Sequence, residues 1–374
     1  MRRAVVIGAG GQIGRPAVEA LARDGWQVTA ASRGGGRDGN WPGEVRTRRL
    51  DREDDAALGA LIGDGCDLVV DMVAYGARHA RQLTGLADRI GAAVVVSTVS
   101  VYEDGEGRGF DTMGEPDGLP RYPVPIAEDQ VTVPPGDATY STGKVALERE
   151  LLAAGDRLPT TVLRPGAIHG PYSPLPRELY FVKRNLDGRR RRVLAFRGES
   201  LFHTSAARNI AELIRLAAAR PGSRVLNACD PRPPTVSEIG AAVDAVMGVE
   251  TETVLLDGPA RASVGSSPWS VELPVVCDMS AAERELGYRP VVTYPDSLPE
   301  TVEWLTRRLS GQEWQEAFPT LARAYPDLFD YAAEDAWFAV AGGGGGGPPP
   351  PRRRAAKRAG GPGGRPPRPG RAAL

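Results

Sequence analysis

Residues 4–14 read Ala4-Val5-Val6-Ile7-Gly8-Ala9-Gly10-Gly11-Gln12-Ile13-Gly14. Four apolar residues stop at a glycine cluster, and a helical pattern follows over Gln12–Asp24. The glycines are spaced G-x-x-G-x-x-G through Gly8, Gly11 and Gly14. In a strand–turn–helix, the first glycine permits the tight turn and the second lets the backbone approach a pyrophosphate. The third lets helix and sheet pack closely, and the helix N-terminus then faces the phosphates. Glycine alone also marks ordinary turns. Here strand, loop and helix fall where the mechanism needs them, so the stretch predicts a dinucleotide site at Gly8, Gly11, Gln12, Ile13 and Gly14.

Outward from this stretch, β-branched runs alternate with helical patterns through the first 170 residues. Strands are expected at Ala4–Ile7, Gln27–Ala31, Val45–Arg48, Asp67–Asp71, Ala93–Ser97 and Thr160–Leu163. Helices are expected near Gln12–Asp24, Asp54–Ile62, Ala77–Arg89 and Thr142–Ala154. Runs as apolar as Leu68-Val69-Val70 and Val94-Val95-Val96 suit strands buried on both faces. The fold class is therefore α/β, a doubly wound parallel sheet. Residues 1–170 form its dinucleotide-binding domain. Residues 171–341 read as a smaller mixed substrate domain with an aromatic helical extension, and this part of the chain has the option of crossing back to the sheet. Residues 342–374 hold 19 glycines and prolines, so a disordered tail is expected.

Charge narrows the partners. The 374 residues carry 46 basic and 47 acidic side chains, but the tail holds eight basic groups and no acidic ones. The remaining 38 basic against 47 acidic groups leave residues 1–341 at −9. Such a body binds polyanions poorly, so nucleic acid is expected only through the basic tail. No apolar run nears the roughly 18 residues needed to span a bilayer, so no membrane partner is expected. Cys66, Cys229 and Cys277 are scattered, which fits a reducing compartment, and a cytoplasmic location is expected. His79, His169 and His203 are equally scattered, so no metal is expected.

The end of the second strand sets the cofactor type. NAD-binding folds usually place an acid there for the ribose 2′-hydroxyl, whereas an arginine accommodates a 2′-phosphate. This chain offers Ser32-Arg33, then three glycines and Arg37. NADP is therefore preferred over NAD, with Asp51 and Arg52 expected near the adenine. A helix N-cap is the plain alternative for Asp51.

Only Lys144, Lys183 and Lys357 are lysines among the 46 basic residues. One of them completes Tyr140-Ser141-Thr142-Gly143-Lys144, a Y-x-x-x-K opening a helix, whose spacing puts both groups on one face. A free tyrosine ionises at about pH 10. A lysine cation and an oxidised nicotinamide nearby are expected to lower that and make Tyr140 an acid/base. Val96-Ser97-Thr98-Val99-Ser100-Val101-Tyr102 ends the fifth strand with hydroxyl donors at the sheet's carboxyl edge.

Together with Leu163-Arg164-Pro165-Gly166-Ala167-Ile168-His169-Gly170-Pro171, these motifs resemble the extended short-chain dehydrogenase/reductases, specifically the NAD-dependent epimerase/dehydratase family. The resemblance spans about residues 4–309. It implies a Rossmann fold, with Tyr140 as acid/base, Lys144 as its ribose-binding partner and Thr98 polarising the substrate oxygen, with Ser100 as fallback. It also implies that Val73 and Ala74 line the cofactor and that the Pro165–Ala167 segment flanks the nicotinamide. His169 matches a position usually held by tyrosine and reads as packing.

Three departures bear on the substrate. Ala167 stands where sugar-nucleotide members commonly have asparagine. Leu201-Phe202-His203-Thr204-Ser205 lacks the arginine they place there, which weakens a nucleotide-sugar substrate. The third is the 42-residue step from Thr98 to Tyr140, whose loop reads either as a lid or as an inert surface loop. Arg189–Arg192 reads as a solvated run, with phosphate contact as the alternative. The expectation is an NADP-preferring oxidoreductase acting on a small-molecule substrate. A nucleotide-sugar epimerase or dehydratase holding NAD is the first alternative. A non-catalytic dinucleotide-binding regulator or RNA-associated protein is the second. The oligomeric state stays open, with a homodimer as one option.

Overall fold

A computed structural model describes residues 2–341. The tail, with its expected disorder and basic contacts, lies outside the described residues. The strands are β1 (Arg3–Ile7), β2 (Gln27–Ser32), β3 (Arg46–Arg49), β4 (Leu68–Asp71), β5 (Ala93–Val96) and β6 (Thr160–Arg164). They continue as β7 (Ala167–His169), β8 (Arg191–Leu194), β9 (Thr204–Ala206), β10 (Arg224–Asn227) and β11 (Glu252–Leu255). Seven of these make one parallel sheet in the order β10-β6-β5-β4-β1-β2-β3. The chain winds one way from β1 through β3 and the other way from β4, so a crevice opens between the carboxyl ends of β1 and β4. Strand β10 forms the sheet edge, parallel to β6.

The long helices are α1 (Gly14–Arg23), α2 (Asp55–Ile62), α3 (Ala77–Thr84), α4 (Tyr140–Leu152), α5 (Leu179–Leu186) and α6 (Ala207–Ala219). Beyond them come α7 (Val236–Met247), α8 (Ser280–Leu286) and α9 (Tyr294–Leu309). One sheet face is covered by α1 and α6 through Val18, Leu21, Ile210 and Ile214. The other is covered by α2, α3 and α4 through Leu58, Leu83, Leu147 and Leu151. This two-sided cover explains why β5 is pure Ala-Val-Val-Val, every residue buried.

A second core joins Phe181 of α5, Ile239 and Val243 of α7, and Leu298 and Leu305 of α9. The aromatic extension docks on it through α10 (Trp314–Ala317) and α11 (Pro319–Ala324), burying Trp314, Phe318 and Leu321. The last helix, α12 (Tyr331–Ala341), is clamped by ions: Arg184 reaches Glu334 at 2.8 Å, and Arg189 reaches Glu334 at 3.0 Å and Asp335 at 2.5 Å. Arg189 and Arg192 are thus spent on acids of the protein, while Arg190 and Arg191 stay exposed to solvent. Arg191 pairs with Glu252 and the buried Arg192 with Asp244, both at 2.8 Å, and Arg190 donates to the Asn185 carbonyl.

The long loop before α4 is packed. Asp104 accepts from the backbone N–H groups of Glu106, Arg108 and Arg121 at 2.8–3.0 Å. Tyr122 is buried and donates to the Tyr102 carbonyl at 3.0 Å. No helix among the described residues is long and apolar enough to cross a membrane.

Candidate active site

The glycine turn is forced by contact. Gly8 takes φ +88°, the left-handed region, and a Cβ there would meet Val73 Cγ1 at 2.9 Å. A Cβ on Gly14 would lie 2.3 Å from the Gly8 carbonyl oxygen, so α1 reaches the turn only as glycine. Gly11 N–H closes the turn onto the Gly8 carbonyl at 2.9 Å. No side chain caps α1 at Ile13. The N–H groups of Gly10, Gln12 and Ile13 have no backbone acceptor among the described residues. Free N–H donors at a helix start suit an anion. Gly10 borders a cleft of about 930 Å³ whose lining also includes Gly8, Gly11, Ser32, Arg33, Asp51 and Val73. That donor set fits a dinucleotide phosphate.

Arg52 lines the same cleft. Its side chain is buried, with Nε donating to Asp71 Oδ2 at 2.7 Å and Nη2 to the His79 carbonyl at 3.1 Å. The remaining carboxylate oxygen, Asp71 Oδ1, accepts from the N–H groups of Val73 and Ala74 at 3.0 and 2.9 Å. Arg52 therefore sets the strip after β4, and its guanidinium is spent on protein. Asp51 is exposed and accepts from Glu53 N–H at 3.1 Å, so it shapes the local turn; α2 is capped by Asp54 instead. Ser32 Oγ accepts from Gly35 N–H at 3.1 Å. Arg37 folds back onto the carbonyls of Trp41, Pro42 and Val45, while Arg33 stands exposed at the cleft. Sequence reading missed Arg15, which follows the last glycine, lines the same cleft, pairs with Asp38 and sits 3.8 Å over the Tyr172 ring.

The hydroxyl and amine groups converge at the carboxyl ends of β4 and β5. A capping box at Thr139, with Thr142 N–H donating to its Oγ1 at 3.2 Å, starts α4 at Tyr140. One turn later Lys144 is buried, donating to the carbonyls of Ala74 at 2.7 Å and Val96 at 2.9 Å. Its Nζ lies 5.7 Å from the Tyr140 ring centre. Burial pushes Lys144 down to about 8, against the pull of Asp71 and Glu148. Thr98 begins the turn after β5, and its hydroxyl bonds Ser100 Oγ at 3.1 Å and is a hydrogen-bond neighbour of Tyr140.

Within the protein, burial and neighbouring Tyr75 push Tyr140 up to about 12, and only Thr98 lowers it. Lys144 is not among the groups that move it. Tyr75, another residue the sequence did not flag, places its ring 5.6 Å from that of Tyr140. So does the loop: Asp111 accepts from Thr139 Oγ1 at 2.6 Å and Ser141 Oγ at 3.0 Å, the two residues flanking Tyr140.

Pro165 accepts from Val99 N–H at 3.0 Å, and Ala167 donates to the His203 carbonyl at 2.8 Å, fixing that segment beside Thr98. A Cβ on Gly166 would lie 2.3 Å from the same carbonyl. His169 is fully buried, bonded to Asp230 at 2.7 Å, with its ring tilted against that of Tyr294 at 4.8 Å. The cysteines and histidines, scattered in sequence, partly meet in space: His203, Cys229 and Cys277 bring their ligand atoms within 4.8 Å. Both His203 nitrogens are already engaged, Nε2 with the Asp230 carbonyl at 2.7 Å and Nδ1 with Cys277 N–H at 3.0 Å.

Comparison with known proteins agrees with this fold. The profile of the NAD dependent epimerase/dehydratase family matches residues 4–229. Among solved structures, a UDP-glucose 4-epimerase from Thermotoga maritima superposes with TM-score 0.62 at 19% identity, covering 82% of this chain and 100% of that one. The dTDP-glucose 4,6-dehydratase of Bacillus anthracis, solved with NAD, gives 0.63 at 17% identity, covering 86% and 100%. A UDP-N-acetylglucosamine 4-epimerase from Methanobrevibacter ruminantium gives 0.63 at 19%, covering 82% and 99%. No curated protein matches the chain. The profile match extends over more than half of the residues, and the chain belongs to the NAD-dependent epimerase/dehydratase family.

Proposed function

We propose that this chain is an oxidoreductase that uses a nicotinamide dinucleotide, NADP in preference to NAD, to interconvert a carbonyl and a hydroxyl on a small-molecule substrate. The observation that carries the reading is the meeting of Thr98, Tyr140 and Lys144 at the carboxyl edge of β4 and β5, beside the glycine cleft. When bound, the dinucleotide supplies a hydride donor or acceptor. Tyr140 holds or takes the proton at its hydroxyl as the substrate oxygen changes charge. Thr98 orients that hydroxyl and donates to the substrate oxygen. Lys144 has three donors, two given to carbonyls, and the third serves a ribose hydroxyl. The NADP preference rests on Arg33 at the cleft and on the lack of an acid at the end of β2.

A second reading, a nucleotide-sugar epimerase or dehydratase that holds NAD and returns the hydride within one cycle, is favoured by the structural neighbours, whose names carry nucleotide-sugar activities. The discriminating experiment follows reduced-nicotinamide absorbance with a panel of aldehydes and ketones, and separately assays nucleotide sugars for isomerisation without net cofactor change. Net NADPH oxidation that falls about 10²-fold or more in Tyr140→Phe supports the first reading. Isomerisation alone supports the second.

A further inference from the structure

Arg177 precedes α5 and is only 6% exposed. It makes no ion pair and no side-chain hydrogen bond among the described residues, and its Nε is a buried donor without an acceptor. Its guanidinium carbon lies 5.3 Å from the Phe202 ring and 5.7 Å from the Trp269 ring. The neighbouring acid does not neutralise it: Glu178 bonds the Tyr294 hydroxyl at 3.4 Å, and burial pushes its carboxyl up, toward the neutral form. The Trp269 indole N–H is a second buried donor with no acceptor.

An unpaired buried charge costs several kcal/mol, and protein interiors otherwise satisfy nearly all such donors. Every other buried arginine among the described residues has its acceptor: Arg52 has Asp71, Arg164 has Glu148, Arg184 has Glu334 and Arg192 has Asp244. A buried guanidinium without a counter-charge calls for an anionic oxygen group, and the Trp269 indole beside it is a further donor without an acceptor. The position suits a ligand. Phe202, under the guanidinium, also packs at 5.8 Å on Phe110, whose neighbour Asp111 holds Thr139 and Ser141 on either side of Tyr140. The terminal guanidinium nitrogens, also unbonded, are not sealed from solvent as Nε is.

We propose that Arg177, assisted by the Trp269 indole, is an anion-binding residue that receives a carboxylate or phosphate of the substrate. This names the substrate class and rests on the proposed reading for the word substrate. The anion site itself is tested without cofactor, so the two fail separately. A planar guanidinium grips either oxyanion through two parallel N–H bonds.

The test is tryptophan fluorescence and thermal unfolding of the full chain titrated with inorganic phosphate and, separately, malonate at constant ionic strength. Wild type is expected to give a saturable fluorescence change and a rise in Tm with at least one of them below about 50 mM. The one that binds tighter identifies phosphate or carboxylate. Arg177→Met is expected to lose the response by tenfold or more in affinity. If that variant does not fold, Arg177→Lys replaces it, with a weakened response expected from the lost fork. No saturable response in wild type to either anion overturns the proposal. So does equal affinity in Arg177→Met, or in Arg177→Lys where that variant stands in for it.

Discussion

The Lys144 ammonium donates at 2.7 Å to the carbonyl of Ala74, tying the helix that opens with Tyr140 to the strip that follows β4. One end of that strip is held by Asp71 and the other by Lys144, so the cofactor-facing backbone and the proton-handling helix are positioned as one unit.

The two members of Y-x-x-x-K are expected to separate in cofactor binding. Tyr140→Phe removes one hydroxyl beside Thr98 and should leave the NADPH dissociation constant within about threefold. Lys144→Met removes the ribose donor and frees two buried carbonyls, and should weaken NADPH by about tenfold or more, roughly 1.4 kcal/mol. Fluorescence titration of each variant measures this. Equal losses would show that the division of roles is wrong.

Lys144 also leaves a mark on stability. Its folded value, about 8, lies below the ordinary 10.5, so the unfolded chain binds more protons between those values. The buried charge costs stability below about pH 8, and the cost is relieved as pH rises toward 10.5. Wild-type stability relative to Lys144→Met should therefore climb between these limits, by at most about 1.4 kcal/mol per pH unit. A flat difference in urea unfolding across that range would contradict it.

His169 has the opposite sign. Burial pulls its imidazolium down, but the Asp230 carboxylate outweighs burial and raises the group above 6.5. The pair's contribution is then full below 6.5 and is lost as pH rises through the raised folded value. The Tm gap between wild type and His169→Gln should be widest in mild acid and narrow toward alkaline pH.

Arg52 and Arg33 should behave differently although both line the cleft. Arg52→Ala breaks a buried pair and should cost about 3–5 kcal/mol in unfolding while leaving the NADP-to-NAD affinity ratio unchanged. Arg33→Ala should leave stability within about 0.5 kcal/mol and cut the NADP preference by tenfold or more. A change in ratio for Arg52→Ala would restore its expected contact with the adenine end.

Gly14→Ala should destabilise strongly, by about 3 kcal/mol or more, because the new methyl overlaps backbone that cannot move. Gly10→Ala is the contrast. Its Cβ meets nothing closer than Ser32 at 3.6 Å, so the fold should survive. Thermal unfolding of the pair separates packing from ligand approach.

What could be read from sequence was local. The glycine turn, the apolar parallel strands and the helix opened by Y-x-x-x-K are set by neighbours within a few residues, and their register follows from periods of 2 and 3.6. The pairing of Arg52 was hidden because its partner, Asp71, is 19 residues away at the end of β4. The same holds for Asp111, whose partners Thr139 and Ser141 are reached only when the loop folds back, and for Arg177, whose meaning lies in the acceptor it lacks. His203, Cys229 and Cys277 were separated by up to 74 positions yet meet just before β9, just after β10 and at the bridge of Cys277 to Ile126. Ion pairs of the arginine run were invisible for the same reason, since Glu334 and Asp335 lie some 145 residues beyond Arg189.

The central claim is that the glycine cleft and the Thr98–Tyr140–Lys144 group serve a nicotinamide dinucleotide. Native mass spectrometry of the purified full chain, titrated with NADPH and NADH in parallel, tests it most directly. The account predicts saturation at one dinucleotide per chain, with NADPH binding more tightly than NADH and exchanging freely. Failure of both to bind would contradict it, because the open donors at the start of α1 would then have no phosphate to serve.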